Sequence, residues 1–255
     1  MKLNTTTLFY LLIKTLQPQS IYDIGSLDGQ DALRFRQISP NSRIIALEAN
    51  PAQVLAMKRD KALKEEKIEI YYYAVSNKGG TTSFYTQNAR TRKGWRRGIS
   101  SLHKRIDAKH MIKINVPSTR LDRFIQKLDG KTASIALWID VEGAAFEVLE
   151  SIKAVCDRVQ IIHTEVETRR FWYKQKLKPN VKNLLQKMGF CEIARGFNEQ
   201  QHDLIFLNKK YLSRSSIKIR LIVLLAWILT YLGFLITIIP KVRPLVSKID
   251  IIRRI

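Results

Sequence analysis

The sequence predicts an open α/β fold, a mostly parallel sheet with helices on both faces. Two patterns carry this expectation. Short apolar strands alternate with helical segments from Ile21 to Met188, the order that builds a parallel sheet. Glycine-rich and acidic motifs also recur at the ends of successive strands, where ligands bind in such sheets. Composition agrees, because 45% hydrophobic and 26% charged residues exclude a disordered or fibrous chain. No repeat period competes with this reading.

The elements follow in order. Leu8, Leu12, Thr15 and Leu16 keep helical spacing until Pro18, so residues 1–20 read as a docking helix. Its apolar run Leu8–Ile13 is closed by Lys14 and is too short for a signal peptide. Ile21–Ile24 is a strand running into the turn GSLDGQ, and Asp31–Gln37 is helical. Ser42–Ala49 is a strand, and Pro51–Glu66 is a helix with Pro in its first turn. Ile68–Val75 and Ala133–Val141 are strands, with a helix at Ala144–Ile152. Val159–Val166 is a strand and Val181–Met188 a helix ended by Gly189. Cys191–Arg195 and Asp203–Leu207 form a closing antiparallel pair. The domain therefore spans 21–210, interrupted by a basic inserted loop at 86–113.

Charge is local. The net charge is +22. Arg90–Lys109 holds eight cations against Asp107, and Lys209–Ile255 holds ten against Asp250. A diffuse basic coat is excluded, and an anionic partner is expected. Leu221–Ile239 contains nineteen residues without a charge. As a helix it is roughly 28 Å long, close to the ~30 Å hydrocarbon core of a bilayer. We therefore expect a transmembrane or membrane-embedded helix within 215–240 and a basic amphipathic tail at 241–255 that suits anionic lipid. The alternative is a C-terminal helix packed on the domain. The catalytic part is expected on the cytoplasmic side. Cys156 and Cys191 form neither a disulfide framework nor a metal-site pattern.

Four motifs fall at strand ends. Asp23-Ile24-Gly25-Ser26-Leu27-Asp28-Gly29 is a turn whose glycines allow close backbone approach. Glu48, about twenty residues on, is placed to accept ribose hydroxyl protons. Asp140-Val141-Glu142-Gly143 and His163-Thr164-Glu165-Val166-Glu167 follow at two later strand tips. Singly, each has a structural reading: Asp28, Asp140 or Glu142 as a helix cap, and His163 as a core histidine. Their joint order favours a ligand site.

The runs DIGSLDGQDA, ALEANP, YAVSN, GISSL, VPSTRLDRFI, LWIDVEGAAFEVLES, TEVE and DLIFLNK resemble the FkbM family of S-adenosylmethionine-dependent methyltransferases over most of Ile21–Lys209. The resemblance implies a seven-stranded, Rossmann-like class I methyltransferase fold and methyl transfer to oxygen. It implies that Asp23, Gly25 and Gly29, with Ser26 and Asp28, line the methionine end of the cofactor. Glu48 would then bind its ribose, Ala74 and Val75 flank its adenine, and Ser76 lie near the adenine edge. Ser26-Leu27 stand where the family has Ala-Asn, and Trp138 where it often has Lys.

A sulfonium cation suits a site rich in Asp23, Glu48 and Asp140. An alcohol acceptor needs a general base, and the candidates are Asp140, then Glu165, then His163. On the acceptor side we place Ser100, Ser101, Glu142, Arg96 and Arg97, the arginines to read an anionic group. Asp140, Glu142 and His163 could also hold a divalent ion, and metal use stays open. The expected acceptor is a hydroxyl of a glycan, glycolipid or related small molecule at a membrane surface. A nucleic-acid methyltransferase and a non-catalytic, membrane-anchored cofactor-binding module are the competing readings.

Overall fold

The computed structural model describes residues 4–87, 98–107, 111–196 and 200–238, with side chains as far as Thr230. In chain order the strands are β1 Ser20–Ile24, β2 Arg43–Glu48, β3 Glu69–Tyr72, β4 Ala74–Val75, β5 Gly80–Gln87, β6 Met111–Thr119, β7 Ile135–Ile139, β8 Val159–Glu167, β9 Phe190–Arg195 and β10 Gln201–Asn208. The helices are α1 Thr5–Leu16, α2 Gln30–Ile38, α3 Pro51–Arg59, α4 Lys61–Glu65, α5 Leu121–Asp129, α6 Ala145–Glu150, α7 Lys178–Lys187, α8 Lys209–Arg214 and α9 Ile217–Ile238.

The main sheet has seven strands in the order β3-β2-β1-β7-β8-β10-β9. The first five are parallel, and β10 runs antiparallel between β8 and β9. The strand order reverses direction between β1 and β7, so their carboxyl ends form the switch-point crevice. Strand alternation sends residues to two cores. Tyr22, Ile24, Leu137 and Ile139 face α5, α6 and α7. Ile21, Ala136 and Trp138 face the layer built from α1, α2, α4 and α9.

Helix α1 lies in the N-terminal segment and packs on the sheet layer. Asn4 caps α1 by accepting the Thr7 amide at 2.8 Å, and Leu8, Phe9, Leu12 and Ile13 are buried. Several boundaries differ from expectation. The strand expected at Ile68–Val75 breaks at Tyr73, whose amide donates to the Glu48 carbonyl at 3.1 Å. β4 then leaves the main sheet for a three-stranded one, β4-β6-β5. The helix expected at Pro51–Glu66 breaks at Asp60, which ends α3 and caps α4 through the Leu63 amide. Helix α5 was not anticipated.

The segment at 86–113 is less of a loop than expected. Its ends belong to β5 and β6, and residues 98–107 lie docked on the domain. Among the described residues, no helix is long and apolar enough to cross a membrane. The expected spanning segment is corrected accordingly. Over its described side chains α9 packs along the domain: Ile219 and Ala226 are buried, and Ile222 and Val223 join the core beneath α1 and α2. The tail at 241–255 lies outside the described residues.

Candidate active site

The crevice starts at the β1 turn. Gly25 adopts φ +83°, and a Cβ there would collide with the Asp140 carbonyl oxygen. Glycine thus lets the tips of β1 and β7 touch. Asp23 is buried and accepts a hydrogen bond from Ser26 Oγ at 2.5 Å. Burial pushes the Asp23 carboxyl well up. At the tip of β2, Glu48 accepts the Leu27 amide on Oε2 at 2.8 Å and the Asn50 amide on Oε1 at 2.7 Å. It is 7% exposed, and burial raises its pKa while the amides oppose that rise. Each oxygen keeps a second lone pair for a ligand hydroxyl. Gly29 (φ +78°) closes the turn where a side chain would strike Leu63.

Carboxyls crowd the far side of the crevice. Asp140 opens to the crevice and is exposed, yet the protein packed around its strand tip, then Asp203 and other acids, push it up to about 6. Glu142 is pushed up to about 7, by burial and then Asp140 and Glu167. Glu165 is pushed up to about 9, by burial and then Asp140 and Glu142. Gln201 donates to Glu165 Oε1 at 2.9 Å, and the Gly143 amide to Glu167 Oε1 at 2.9 Å. Oxygens of Glu142, Glu165 and Glu167 lie within 4.8 Å of one another, so these three could hold a cation. Gly143 (φ +67°) allows the Trp172 ring to lie against the Asp140–Gly143 turn.

The three-stranded sheet supplies the opposite wall. Ser101 pairs with Tyr85 of β5 through two backbone bonds of 2.8 and 2.9 Å, and its hydroxyl donates to the Glu142 carbonyl. Ser100 Oγ donates to Thr86 Oγ1 at 3.0 Å, and Asn50 Nδ2 donates to the same atom at 3.1 Å. The segment continues onto the loop after β8, where the Ile106 amide donates to the Phe171 carbonyl at 2.8 Å and Arg105 stacks on Trp172. A cavity of about 700 Å³, open to solvent on one side, lies between these walls.

Gly25, Glu48, Ala74, Val75, Ser100, Ser101, Asp140, Glu142 and Glu165 all line this cavity. Other expected residues stand behind it. Asp23 and Ser26 form the buried turn, and Asp28 accepts the Gln30 amide at 3.2 Å at the start of α2. Ser76 is buried and bonds Ser118 at 2.9 Å, so it braces β4 against β6. His163 does not reach the cavity. It stacks on Trp138 at 3.7 Å, packs against Phe9, and neither ring nitrogen has a partner among the described residues. Burial holds it neutral, with a pKa of about 3. Trp138, where the family often has Lys, points into the same aromatic layer and does not line the cavity. Arg96 and Arg97 lie outside the described residues. Sequence reasoning missed Leu27, Asn50, Thr86, Gln87 and Gln201, which also line the cavity.

A family profile described as the methyltransferase FkbM domain matches residues 23–197. The chain belongs to the FkbM methyltransferase family. Its domain is a methyltransferase domain, and S-adenosylmethionine is the methyl donor. The 2-O-methyltransferase NoeI of Sinorhizobium fredii (strain NBRC 101917 / NGR234) is 25% identical over 162 residues, which is 61% of this chain and 66% of the relative. The match thus spans just under two thirds of that relative's length. Among solved structures, magnesium protoporphyrin IX methyltransferase from Synechocystis PCC 6803 with bound SAM is 10% identical at TM-score 0.46, covering 80% of this chain and 76% of that one. M. capricolum TrmK with S-adenosyl-homocysteine is 10% identical at TM-score 0.45, covering 82% and 70%.

The residues present suit the donor. Crowded carboxyls with raised pKa values mark a cavity short of positive charge, and a sulfonium supplies one.

Proposed function

We propose that this chain methylates a hydroxyl of a glycan, glycolipid or related small molecule, working at a membrane surface. The observation that carries the reading is one cavity lined by Glu48, Ala74 and Val75 together with Asp140, Glu142, Glu165 and Ser100. The likeness to a protein named as a 2-O-methyltransferase supports an oxygen acceptor.

In this reading Glu48 holds the ribose, Gly25 and Leu27 border the methionine end, and Ala74 and Val75 flank the adenine. The donor, when bound, supplies an electrophilic methyl group. Asp140 and Glu165 handle the proton. Both are drawn toward the protonated form by the protein packed around them and by neighbouring acids. Asp140 and Glu165 would ionise more readily beside a cation, whose charge would lower their pKa values where a base is needed. The acceptor hydroxyl would give its proton to Asp140 or Glu165 as its oxygen gains the methyl and the donor's sulfur leaves as a neutral thioether. Gln201 holds the Glu165 carboxyl, and Ser100 and Ser101 wall the acceptor side. Alignment of the reacting atoms within this cavity supplies much of the acceleration. His163 takes no part.

The test combines calorimetry and transfer assays on the full chain. Wild type should bind S-adenosylmethionine, and Glu48→Ala should weaken it by at least ~10-fold, since Glu48 would touch the ribose and also orders the Leu27 and Asn50 amides. Labelled methyl should pass to the hydroxyls of a glycan panel, and Asp140→Asn or Glu165→Gln should lower kcat by ~10²–10⁴ with donor affinity largely kept. Transfer to RNA or DNA, with none to glycans, would overturn the acceptor assignment.

A further inference from the structure

We propose that α9 lies in the plane of a bilayer, with its outward face seated on anionic lipid. This rests on the membrane location proposed above and adds the face, the orientation and the lipid charge.

The argument starts from two apolar faces on one helix. The inward face, Ile219, Ile222, Val223 and Ala226, is packed on the domain. The outward face carries Ile217, Leu221, Leu224, Leu225 and Ile228, each between 40% and 73% exposed. Their spacing of four, three, one and three residues forms a single stripe along a helix. Among the described residues, the other large exposed hydrophobics are Trp227, which flanks the stripe on α9 itself, and Leu55, Ile106, Ile112 and Tyr173, which are scattered over separate segments. Scattered apolar residues are normal on a surface, whereas a continuous stripe marks a contact. Because the domain occupies the inward face, lipid can reach only the outward one. That geometry is a helix lying on a membrane.

Charge selects the lipid. Lys209, Lys210, Arg214, Lys218 and Arg220 are all exposed on α8 and at the start of α9, and no acid occurs from Lys209 to Thr230. A second copy seated on this stripe would bring two such cationic clusters near one another. An anionic headgroup layer neutralises them instead.

Sedimentation of the full chain with vesicles tests this. Wild type should sediment with phosphatidylcholine vesicles containing phosphatidylglycerol, and at least ~10-fold less with phosphatidylcholine alone. The double variant Leu221→Glu and Leu225→Glu should lose at least ~10-fold of the binding, while Leu55→Glu matches wild type. Calorimetry with S-adenosylhomocysteine reports folding of each variant. If the double variant fails that control, Lys218→Glu with Arg220→Glu replaces it, with the same loss expected. Wild-type indifference to anionic vesicles would overturn the proposal. So would unchanged binding by the outward-face variants, or a dimer that they dissociate. Cofactor binding is read separately, so failure on vesicles leaves the methyltransferase assignment standing, and failure of methyl transfer leaves the lipid result standing.

Discussion

Replacing Gly25 by alanine should unfold the crevice from its floor. Two costs add. The residue sits at φ +83°, where an L side chain costs roughly 1–2 kcal/mol. The new methyl also meets the Asp140 carbonyl oxygen, with Asp140 C at 2.9 Å and Val141 Cγ1 at 3.1 Å. These obstacles include backbone, which cannot swing aside, so forced separation of β1 and β7 adds roughly 1–3 kcal/mol. The sum is about 2–5 kcal/mol. Gly80 provides the control. It has φ +100° with nothing within 4 Å of its would-be Cβ, so Gly80→Ala isolates the backbone cost. Urea denaturation of the three proteins at one pH gives both differences. Gly25→Ala should exceed Gly80→Ala by at least ~1 kcal/mol and should also weaken S-adenosylmethionine binding. Equal losses for the two alanines, with donor affinity intact, would refute the contact between strand tips.

Other outcomes follow from the same site. His163→Phe should keep kcat within about twofold and leave stability equal or up to ~1 kcal/mol higher, because both ring nitrogens are buried without partners among the described residues; a large loss of kcat in transfer assays would restore His163 to the chemistry. Asp140, Glu142 and Glu165 have folded pKa values of about 6, 7 and 9, above their ordinary carboxylate values. Their stabilising contribution is therefore full below about pH 4 and is lost as pH rises through those values. Donor-free protein should lose stability in urea between pH 5 and 9, and Glu165→Gln should flatten the part above pH 7. A stability that climbs over that range would contradict the raised carboxyls of this cluster.

Much of the fold was legible because periodicity is a local property. Ile21–Ile24, Ala133–Val141 and Val159–Val166 read as strands from their apolar runs, and all lie in the main sheet. The closing antiparallel pair was legible for the same reason. Sheet membership was not. The break at Tyr73 depends on one amide reaching the Glu48 carbonyl, and no local pattern announces it. The three-stranded wall likewise required β5 and β6 to meet across a segment whose composition reads as loop.

The sequence by itself determined the order of strand-tip motifs, and with it the family and the residues available to a cation. Which of those residues face one another was a matter of tertiary structure. Strand alternation alone leaves His163 and Glu165 on the same side of β8. Packing separates them: Phe9 and Trp138 pack on His163, while Glu165, nearer the strand end, reaches the cavity. The same holds for Leu221–Ile239. Hydropathy shows an uncharged run, but a run apolar on every side does not say which side the domain will take. Only the docking of Ile219, Ile222, Val223 and Ala226 divides α9 into a packed face and an open one.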